Sequence, residues 1–387
     1  MFRLNFKKIV IIFCLIITSL ILCSCNNNVE SDGSKKNITD KITTEKNKSE
    51  IDLSNCYFYD VKVLANGNYV KFYISKGEDP LLKYMEIIDA ENDKVKSVID
   101  ISKYYMKNVN LKSLNNGFYI YGTEIGVFDY SGTLIKDINY PEDIEQNIYG
   151  YVFALSNDFN KMIYCSLTEN KQEDSLDVKL MDLETKECKV IQNLNEVTLD
   201  KPCFYREFSF SENDRYVMYL GKKYKTINND KMCYGSIDLN TFKISSEFTD
   251  KSNCIFYGNC EIIYDANVDY GKNSSGKIVY YNPSDNVLNL YSLENLNESQ
   301  HIGLTNEKNM FISALCNWSN NSIEIKLYED GNVIRKVNIE CKDEEKFNQI
   351  NVDDICYSSK SNKVYYSSTV WNGDEYMGNE YLELEMK

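Results

Sequence analysis

Short runs in which hydrophobic and polar residues alternate recur along most of the chain. In residues 322–328 (SIEIKLY), Ile323, Ile325 and Leu327 fall on one side of an extended strand. Glu324, Lys326 and Tyr328 fall on the other side. Residues 69–74 show the same period of two, which is typical of β-strands rather than helices. Turn-forming pairs ending in glycine separate such runs at 66–67, 116–117, 131–132 and 330–331. The pattern predicts an all-β protein.

Two signatures repeat along the chain and indicate how the strands are grouped. Residues 153–165 align with residues 208–220, so that Tyr164 coincides with Tyr219. In both copies a strand ending in Asp follows, and the Asp precedes Asn or Thr in a turn (MDLET and IDLNT). Short polar side chains of this kind accept hydrogen bonds from free turn amides. Because Tyr164 and Tyr219 recur at equivalent places, we expect them in the core.

Each unit therefore predicts four antiparallel strands in about 45 residues, which is the composition of a propeller blade. The rhythm resembles that of TolB-like and other WD-repeat-like β-propellers over most of residues 51–387, although the Trp-Asp pair of true WD repeats is absent. We expect seven four-stranded blades, with six or eight as alternative counts and tandem β-sandwiches as the rival fold. Residues 56–59 are expected to pair with the last blade and close the ring. The units begin near residues 58, 110, 151, 206, 254, 311 and 353.

The amino terminus has the organisation of an export signal. Arg3, Lys7 and Lys8 precede an apolar run over residues 9–22, which is short for a bilayer-spanning helix. The run ends in Leu-Cys-Ser-Cys, which resembles the lipobox of bacterial lipoproteins, with lipid attached to the sulfur of Cys25. An uncleaved membrane helix is the alternative. The resemblance implies a signal peptide over residues 1–24 and a protein held at the outer face of the cytoplasmic membrane.

Residues 25–50 read as the lipidated cysteine followed by a flexible polar tether, because they contain too few apolar residues to form a core. The whole chain has a net charge of −15, and removal of a leader with three positive charges leaves −18. Such an acidic surface argues against nucleic acid as a partner. We therefore expect the partners to be the membrane, through the lipid, and a protein or small-molecule ligand.

Thirteen cysteines are present, without a Cys-x-x-Cys pair. Several stand at positions that an apolar residue could fill; Cys165, for example, aligns with Leu220 of the second copy. We therefore interpret most of them as small buried hydrophobic residues. A disulfide at Cys254–Cys260 or elsewhere is the alternative.

Motifs that carry chemistry are few. His301 is the only histidine and is predicted to lie in a polar loop between units, which disfavours Ser-His-Asp and multi-histidine zinc sites. Residues 271–277 (GKNSSGK) approach a phosphate-binding loop, but a strand rather than a helix is predicted to follow, so a hairpin loop is the better interpretation. Asp265, Asn267 and Asp269 form a weak candidate for a metal site, since oxygen ligands recur at alternate positions without a closing Glu.

These observations predict no cofactor and no enzymatic activity. The preferred function is a non-catalytic extracytoplasmic propeller that binds or scaffolds a protein or small ligand. A sensory or regulatory accessory of a membrane complex is an alternative, and a carbohydrate-active enzyme using carboxylates of the propeller channel is a further one.

Overall fold

The chain divides into two compact units, Met1–Ser49 and Glu50–Lys387. The computed structural model describes only part of the second unit, and everything below concerns that part. The described residues are 51–77, 82–104, 110–144, 146–147, 150–167, 176–192, 204–211, 213–223, 231–248, 254–257, 262–265, 274–282, 287–296, 300–307, 310–317, 322–329, 332–340, 351–372 and 375–386.

Five four-stranded antiparallel sheets follow one another along the described chain, and the strands of each lie side by side in chain order. The first sheet consists of β1 (Cys56–Val63), β2 (Tyr69–Ser75), β3 (Lys83–Asp89) and β4 (Lys94–Asp100). The second consists of β5 (Asn110–Leu114), β6 (Gly117–Tyr121), β7 (Ile125–Phe128) and β8 (Leu134–Ile138). A small hairpin of β9 (Gln146–Asn147) and β10 (Gly150–Tyr151) comes next.

The third to fifth sheets repeat this order. Their strands are β11 (Phe153–Leu155), β12 (Lys161–Leu167), β13 (Leu176–Asp182) and β14 (Cys188–Gln192); β15 (Phe204–Phe210), β16 (Tyr216–Lys223), β17 (Lys231–Asp238) and β18 (Ile244–Phe248); and β19 (Cys254–Tyr257), β20 (Ile262–Asp265), β21 (Ser274–Asn282) and β22 (Val287–Leu296).

The last two groups of strands are joined into one seven-stranded sheet. The sixth group is β23 (Gln300–Thr305), β24 (Met310–Asn317), β25 (Ser322–Glu329) and β26 (Asn332–Glu340), and the seventh is β27 (Asn351–Ser358), β28 (Lys363–Asn372) and β29 (Glu375–Glu385). The first strands of the two groups, β23 and β27, pair in parallel at Leu304 and Cys356. Gly303 permits this approach, because a Cβ atom there would lie 1.6 Å from the carbonyl oxygen of Ile355.

Wherever the structure describes the side chains of neighbouring groups, the groups pack face to face, and this packing forms the core. Phe72 and Met85 of the first sheet contact Phe118 and Phe128 of the second in one buried cluster. Equivalent clusters join the second sheet to the third, the third to the fourth, and the sixth group to the seventh. Because the second and third sheets are each covered on both faces, their strands bury alternate side chains on both sides. Each large buried side chain contributes about 1.5–3 kcal/mol.

The first sheet also packs against the seventh group, which closes the arrangement. Tyr69 of β2 stacks on Tyr365 of β28 with ring centroids 4.1 Å apart. Phe58 of β1 meets Tyr381 of β29 edge to face at 5.7 Å. Lys363 of β28 binds Asp93 at the end of the first sheet, with 2.7 Å between Nζ and Oδ2. We name this contact region the closing seam. Sheets that stack in chain order and return to the first are arranged as in a β-propeller, so the predicted fold class is confirmed.

The number of blades stays a prediction, because the sixth and seventh groups share one continuous sheet. Three details of the sequence interpretation were wrong. The sixth group begins at Gln300 rather than near 311, so His301 lies in β23 and not in a loop. The start of β1 pairs with β2 of its own sheet, and the ring is closed by face packing instead. Tyr328 is buried rather than on the polar side, because the register shifts after Leu327 and its ring stacks on Phe311 at 4.3 Å.

Candidate binding face

The antiparallel order gives the sheets two rims with different chemistry. The turns between first and second strands and between third and fourth strands lie on one rim, which we name the turn face. The loops between second and third strands and the connections from one sheet to the next lie on the other rim, the loop face. The fourth strands β4, β8, β14 and β26 lie on the outside and are largely exposed.

Aspartates on the turn face are used by their own turns. Asp182 Oδ1 accepts hydrogen bonds from the backbone amides of Glu184 and Thr185, at 3.0 and 2.8 Å. Asp238 Oδ1 does the same for the two equivalent amides of its own turn. Asp89, Asp129 and Asp158 bind amides two residues ahead in the same way. The predicted role of the Asp in the repeated signature is therefore confirmed, and these carboxylates are occupied.

These hydrogen bonds favour the charged carboxylates. Backbone amides lower the pKa of Asp182 and Asp238, and the amide of Glu91 together with Lys96 lowers the pKa of Asp89 to about 2. A group with a lowered folded-state pKa contributes stability above its unfolded pKa of ~3.9, and that contribution is lost as the pH falls through the folded value.

We expect the thermal midpoint to fall between about pH 4 and pH 2, where these aspartates take up protons. In the Asp182→Asn, Asp238→Asn double variant the fall should be smaller, because the amide oxygen still caps the turn but cannot titrate. Thermal melts followed by circular dichroism at pH 7, 4, 3 and 2 measure this. Equal pH dependence of the two proteins would contradict the assignment.

Turns of successive sheets are also bonded to one another. Asn157, buried in the turn of the third sheet, donates from its backbone amide and Nδ2 to Asp214 Oδ1 of the fourth, both at 2.8 Å. Between the sixth and seventh groups, Ser359 donates its amide to Asn306 Oδ1 at 2.8 Å. Ser358 Oγ donates to the carbonyl oxygen of Gly67 across the closing seam. Much of the polar capacity of the turn face is therefore used inside the protein.

The inner strands carry a few charged side chains close to the axis. Lys62 and Asp60 of β1 form an ion pair of 3.2 Å. Lys112 of β5 donates to the carbonyl oxygen of Phe208 in β15 at 3.1 Å, which joins the second sheet to the fourth. The sequence led us to consider carboxylates of the propeller channel as catalytic groups. Among the described side chains of the inner strands, the acid is Asp60, and it is paired with Lys62.

The loop face between the second and third sheets carries a cluster of aromatic rings. Tyr140 and Tyr151 stack with centroids 4.0 Å apart. Phe153 meets Tyr140 and Tyr121 edge to face, at 5.5 and 5.1 Å. The three tyrosines are half-buried, pack against the core between the two sheets, and include the buried hydroxyl of Tyr140. We name Tyr121, Tyr140 and Tyr151 the tyrosine cluster.

The connection that carries Tyr140 is held in place by a charged contact. Asp143 lies 2.5 Å from Lys179 Nζ and accepts a hydrogen bond from the Tyr164 hydroxyl at 3.2 Å. Burial raises the pKa of Tyr164, so its phenol stays protonated and donates. The Tyr164 hydroxyl also lies 3.7 Å from Cys188 Sγ. The connection is therefore fixed on the third sheet and presents its aromatic residues in one arrangement.

A second exposed aromatic residue of the loop face lies on the first sheet. Tyr57 is 51% exposed although it belongs to the inner strand β1. Lys76 Nζ lies 5.0 Å from its ring centroid, and the nearby Leu82 is also exposed. None of these residues was singled out from the sequence as a surface residue. The sequence feature that could have identified them is an aromatic residue at or near the end of a strand, next to a connection between strands.

The predicted site residues meet different outcomes. Cys25 lies outside the described residues, as do Asn267 and Asp269, whereas Asp265 is the last residue of β20. Residues 271–273 of the phosphate-loop-like segment are likewise outside, and from Ser274 onward the segment is strand β21 rather than a hairpin loop. Tyr164 and Tyr219 are fully buried, as predicted. Cys165, Cys316 and Cys356 are buried, while Cys188 is exposed.

The described residues offer neither a metal centre nor a membrane-spanning helix. The described His, Cys, Asp and Glu side chains form no group of three that is arranged to hold a metal ion. No helix in the described part of the chain has the length and apolar character needed to cross a membrane.

Comparisons with known proteins place the chain by its fold. No family model and no curated protein matches it. Among solved structures, prolyl oligopeptidase B from Galerina marginata is 11% identical over 85% of this chain and 49% of that chain, with a TM-score of 0.50. The hydrazine synthase of Kuenenia stuttgartiensis is 10% identical over 88% of this chain and 99% of that chain, with a TM-score of 0.45. The β-propeller domain of the trilobed protease from Pyrococcus furiosus is 12% identical over 86% of each chain, with a TM-score of 0.38.

The match with prolyl oligopeptidase B corrects the expectation that the chain is not an enzyme. That structure shares the fold at a TM-score of 0.50, and this chain covers 49% of its length. The lack of a recognisable catalytic motif in the sequence is therefore not sufficient to exclude enzymatic activity. At these identities the likeness concerns architecture alone. The chain has the fold of a β-propeller.

Proposed function

We propose that this chain is an extracytoplasmic binding propeller, anchored through a lipid on Cys25 to the outer face of the bacterial cytoplasmic membrane. Its loop face contacts a protein or small ligand. The proposal takes the repeats to be of the TolB-like kind that the sequence rhythm resembles. The observation that carries it is the contrast between the rims, because the loop face presents aromatic rings while many polar groups of the turn face serve its own turns.

Aromatic rings are suited to this role for a physical reason. A tyrosine presents a large, rigid apolar surface with a hydroxyl at its edge, so it binds both flat apolar groups and hydrogen-bonding groups. Tyr57 keeps half of its surface exposed, and the tyrosine cluster lies on the same rim. Asp143 and Lys179 add opposite charges beside that cluster. Such a surface favours a ligand with both apolar and polar groups.

Site-specific photo-crosslinking in intact cells tests the choice of face. A photoreactive residue at Tyr57 or Tyr121 should capture the same partner. The same residue at Glu184 or Asn240, which are exposed on the turn face, should capture little of it. Capture mainly from the turn-face positions would contradict the proposal.

Substitution of the lipidated cysteine tests the anchor. Cys25→Ala should release the protein from the membrane into the medium, because the thioether needs the sulfur, whereas Cys23→Ala should stay membrane-bound and serve as the control. Detergent phase partition and intact mass of the purified proteins measure the two outcomes. An unprocessed leader in the wild-type protein, or release of both variants, would contradict the assignment of Cys25.

A further inference from the structure

A buried carboxylate lies at the loop-face end of the third sheet. Asp177 is the second residue of β13, and its direct partner in the antiparallel register is Ser166, the last residue but one of β12. Asp177 is 7% exposed and Ser166 is fully buried. Within the described part of the chain, neither Asp177 Oδ1 nor Ser166 Oγ has a hydrogen-bond partner. The two side chains therefore form a pair of buried polar groups that the protein leaves unsatisfied.

Both side chains point into the space between the second and third sheets. Side chains two positions apart on a strand lie on the same face, and Tyr164, two residues before Ser166, packs in the cluster that joins these sheets. Residues directly opposite each other in an antiparallel pair also share a face, so Asp177 points the same way. The backbone of Ile144 forms an antiparallel bridge with that of Ser166, and the tyrosine cluster packs against the same core. The unsatisfied pair thus belongs to the same gap between sheets as the tyrosine cluster.

The surroundings do not compensate the charge of Asp177. An ionised carboxylate that is buried without a partner is strongly unfavourable, because it loses its hydration and gains nothing in return. Lys179, two residues further along β13, is engaged elsewhere, since its Nζ lies 2.5 Å from Asp143. A donor from outside the chain would supply what Asp177 lacks, and Ser166 Oγ would offer that donor a second acceptor.

We propose that Asp177 and Ser166 bind the ammonium group of a ligand that carries a primary amine on a short alkyl chain. An ammonium group has three N–H donors and no acceptor, so it can donate to Asp177 Oδ1 and to Ser166 Oγ together. A hydrogen bond between two charged groups is stronger than one between neutral groups. The alkyl chain then packs along the rings of the tyrosine cluster, whose faces also attract a cation. A metal ion fits less well, because the described His, Cys, Asp and Glu side chains form no group of three that could hold one.

This inference deepens the proposed function and rests on it in one respect, namely that the ligand approaches from the loop face. Free diamines and lysine side chains of a partner protein both present a primary amine on an alkyl chain. The net charge of −15 favours the approach of either. The shared chemistry is the alkylammonium group, and the choice between the two sources is left to the titrations.

Calorimetric titration of the purified full-length protein with cadaverine, at constant ionic strength, tests the site. The wild-type protein should bind cadaverine but not pentanol, which has the same alkyl chain without the charge. Asp177→Asn should weaken binding by about tenfold, as expected for the loss of a charged hydrogen bond, and Ser166→Ala by about threefold. Glu184→Gln removes an exposed acid of the turn face and should leave the affinity unchanged. Titration with acetyl-lysine amide in place of cadaverine shows which source of the amine is preferred.

Thermal melts distinguish a ligand site from a structural carboxylate. In the absence of ligand, Asp177→Asn should raise the melting midpoint, because it removes a buried charge that has no partner. Cadaverine should raise the midpoint of the wild-type protein and leave that of Asp177→Asn unchanged, since only a protein that binds the amine is stabilised by it.

Three results would overturn the proposal: no binding of cadaverine by the wild-type protein, equal affinity of the wild type and Asp177→Asn, or a lower melting midpoint of Asp177→Asn without ligand. The last result would mean that Asp177 serves the fold, for example through a buried water. Loop-face crosslinks without cadaverine binding would refute this inference alone. Cadaverine binding through Asp177, with partner crosslinks from the turn face, would refute the proposed function alone.

Discussion

Replacing Tyr365 by alanine should be among the most destabilising single changes in this protein, at about 3–5 kcal/mol in the free energy of unfolding. The side chain is fully buried in the closing seam, where it stacks on Tyr69 at 4.1 Å and lies 6.3 Å from the ring of Tyr381. Removal leaves a cavity between the first sheet and the seventh group, which are distant in sequence. Urea denaturation followed by tyrosine fluorescence measures the change.

Tyr365→Phe is the matched control for that prediction. It keeps the stacked ring and removes only the hydroxyl, which lies 2.7 Å from Ser361 Oγ. We expect it to cost about 1 kcal/mol, as one hydrogen bond does. If Tyr365→Ala also cost no more than about 1 kcal/mol, the circle of sheets would not be closed by packing at this seam.

Gly303→Ala should have the second large effect. A Cβ atom at this position would lie 1.6 Å from the carbonyl oxygen of Ile355, and the obstacle is backbone, which no side-chain rotation can relieve. The inner strands β23 and β27 must then separate, so the parallel pairing of Leu304 with Cys356 is lost. We expect a cost of about 3 kcal/mol, at the upper end of the range for overpacked sites. The midpoint of urea unfolding measures it.

Gly77→Ala provides the comparison for a glycine with space around it. A Cβ atom added at Gly77 would have no other atom within 4 Å, although the φ of +76° costs an alanine about 1 kcal/mol. A Gly303→Ala variant that was no less stable than Gly77→Ala would show that β23 and β27 do not approach as closely as described.

The sequence was informative where the structure is local. Alternation placed Ile323, Ile325 and Leu327 on a buried side of β25, and the aligned copies placed Tyr164 and Tyr219 in the core. The Asp of the repeated turn was predicted from the need of turn amides for an acceptor. Each of these inferences depends on residues a few positions apart, for which period and turn chemistry are sufficient.

Features that depend on distant residues were not predicted. Nothing in the local pattern around Gly303 shows that Ile355 approaches it. The start of β23 was placed too late because residues 300–305 (QHIGLT) carry polar and small side chains, which read as a loop. The tyrosine cluster brings Tyr121 together with Tyr140 and Tyr151 through a connection whose course the sequence does not specify. The binding face therefore required the structure, whereas the fold class did not.

The closing seam connects the fold to the proposed function. Stacked sheets that return to the first one leave the turn face and the loop face as separate rims, and the tyrosine cluster lies on only one of them. If the first sheet and the seventh group were apart, Tyr69 would lose its stacking on Tyr365 and Phe58 its contact with Tyr381. The closed fold therefore depends on the proximity of these two groups.

Zero-length crosslinking of the purified protein with a carbodiimide tests that proximity most directly. Lys363 Nζ lies 2.7 Å from Asp93 and 3.2 Å from Glu383, so it should form amide bonds to both carboxylates. The link to Glu383 joins neighbouring strands and is the internal control, while the link to Asp93 joins residues 270 positions apart in the chain. Mass spectrometry of the digested monomer should find both links. The Asp93→Asn variant should lose only the Lys363–Asp93 link. Detection of the Lys363–Glu383 link without the Lys363–Asp93 link would contradict a closed propeller.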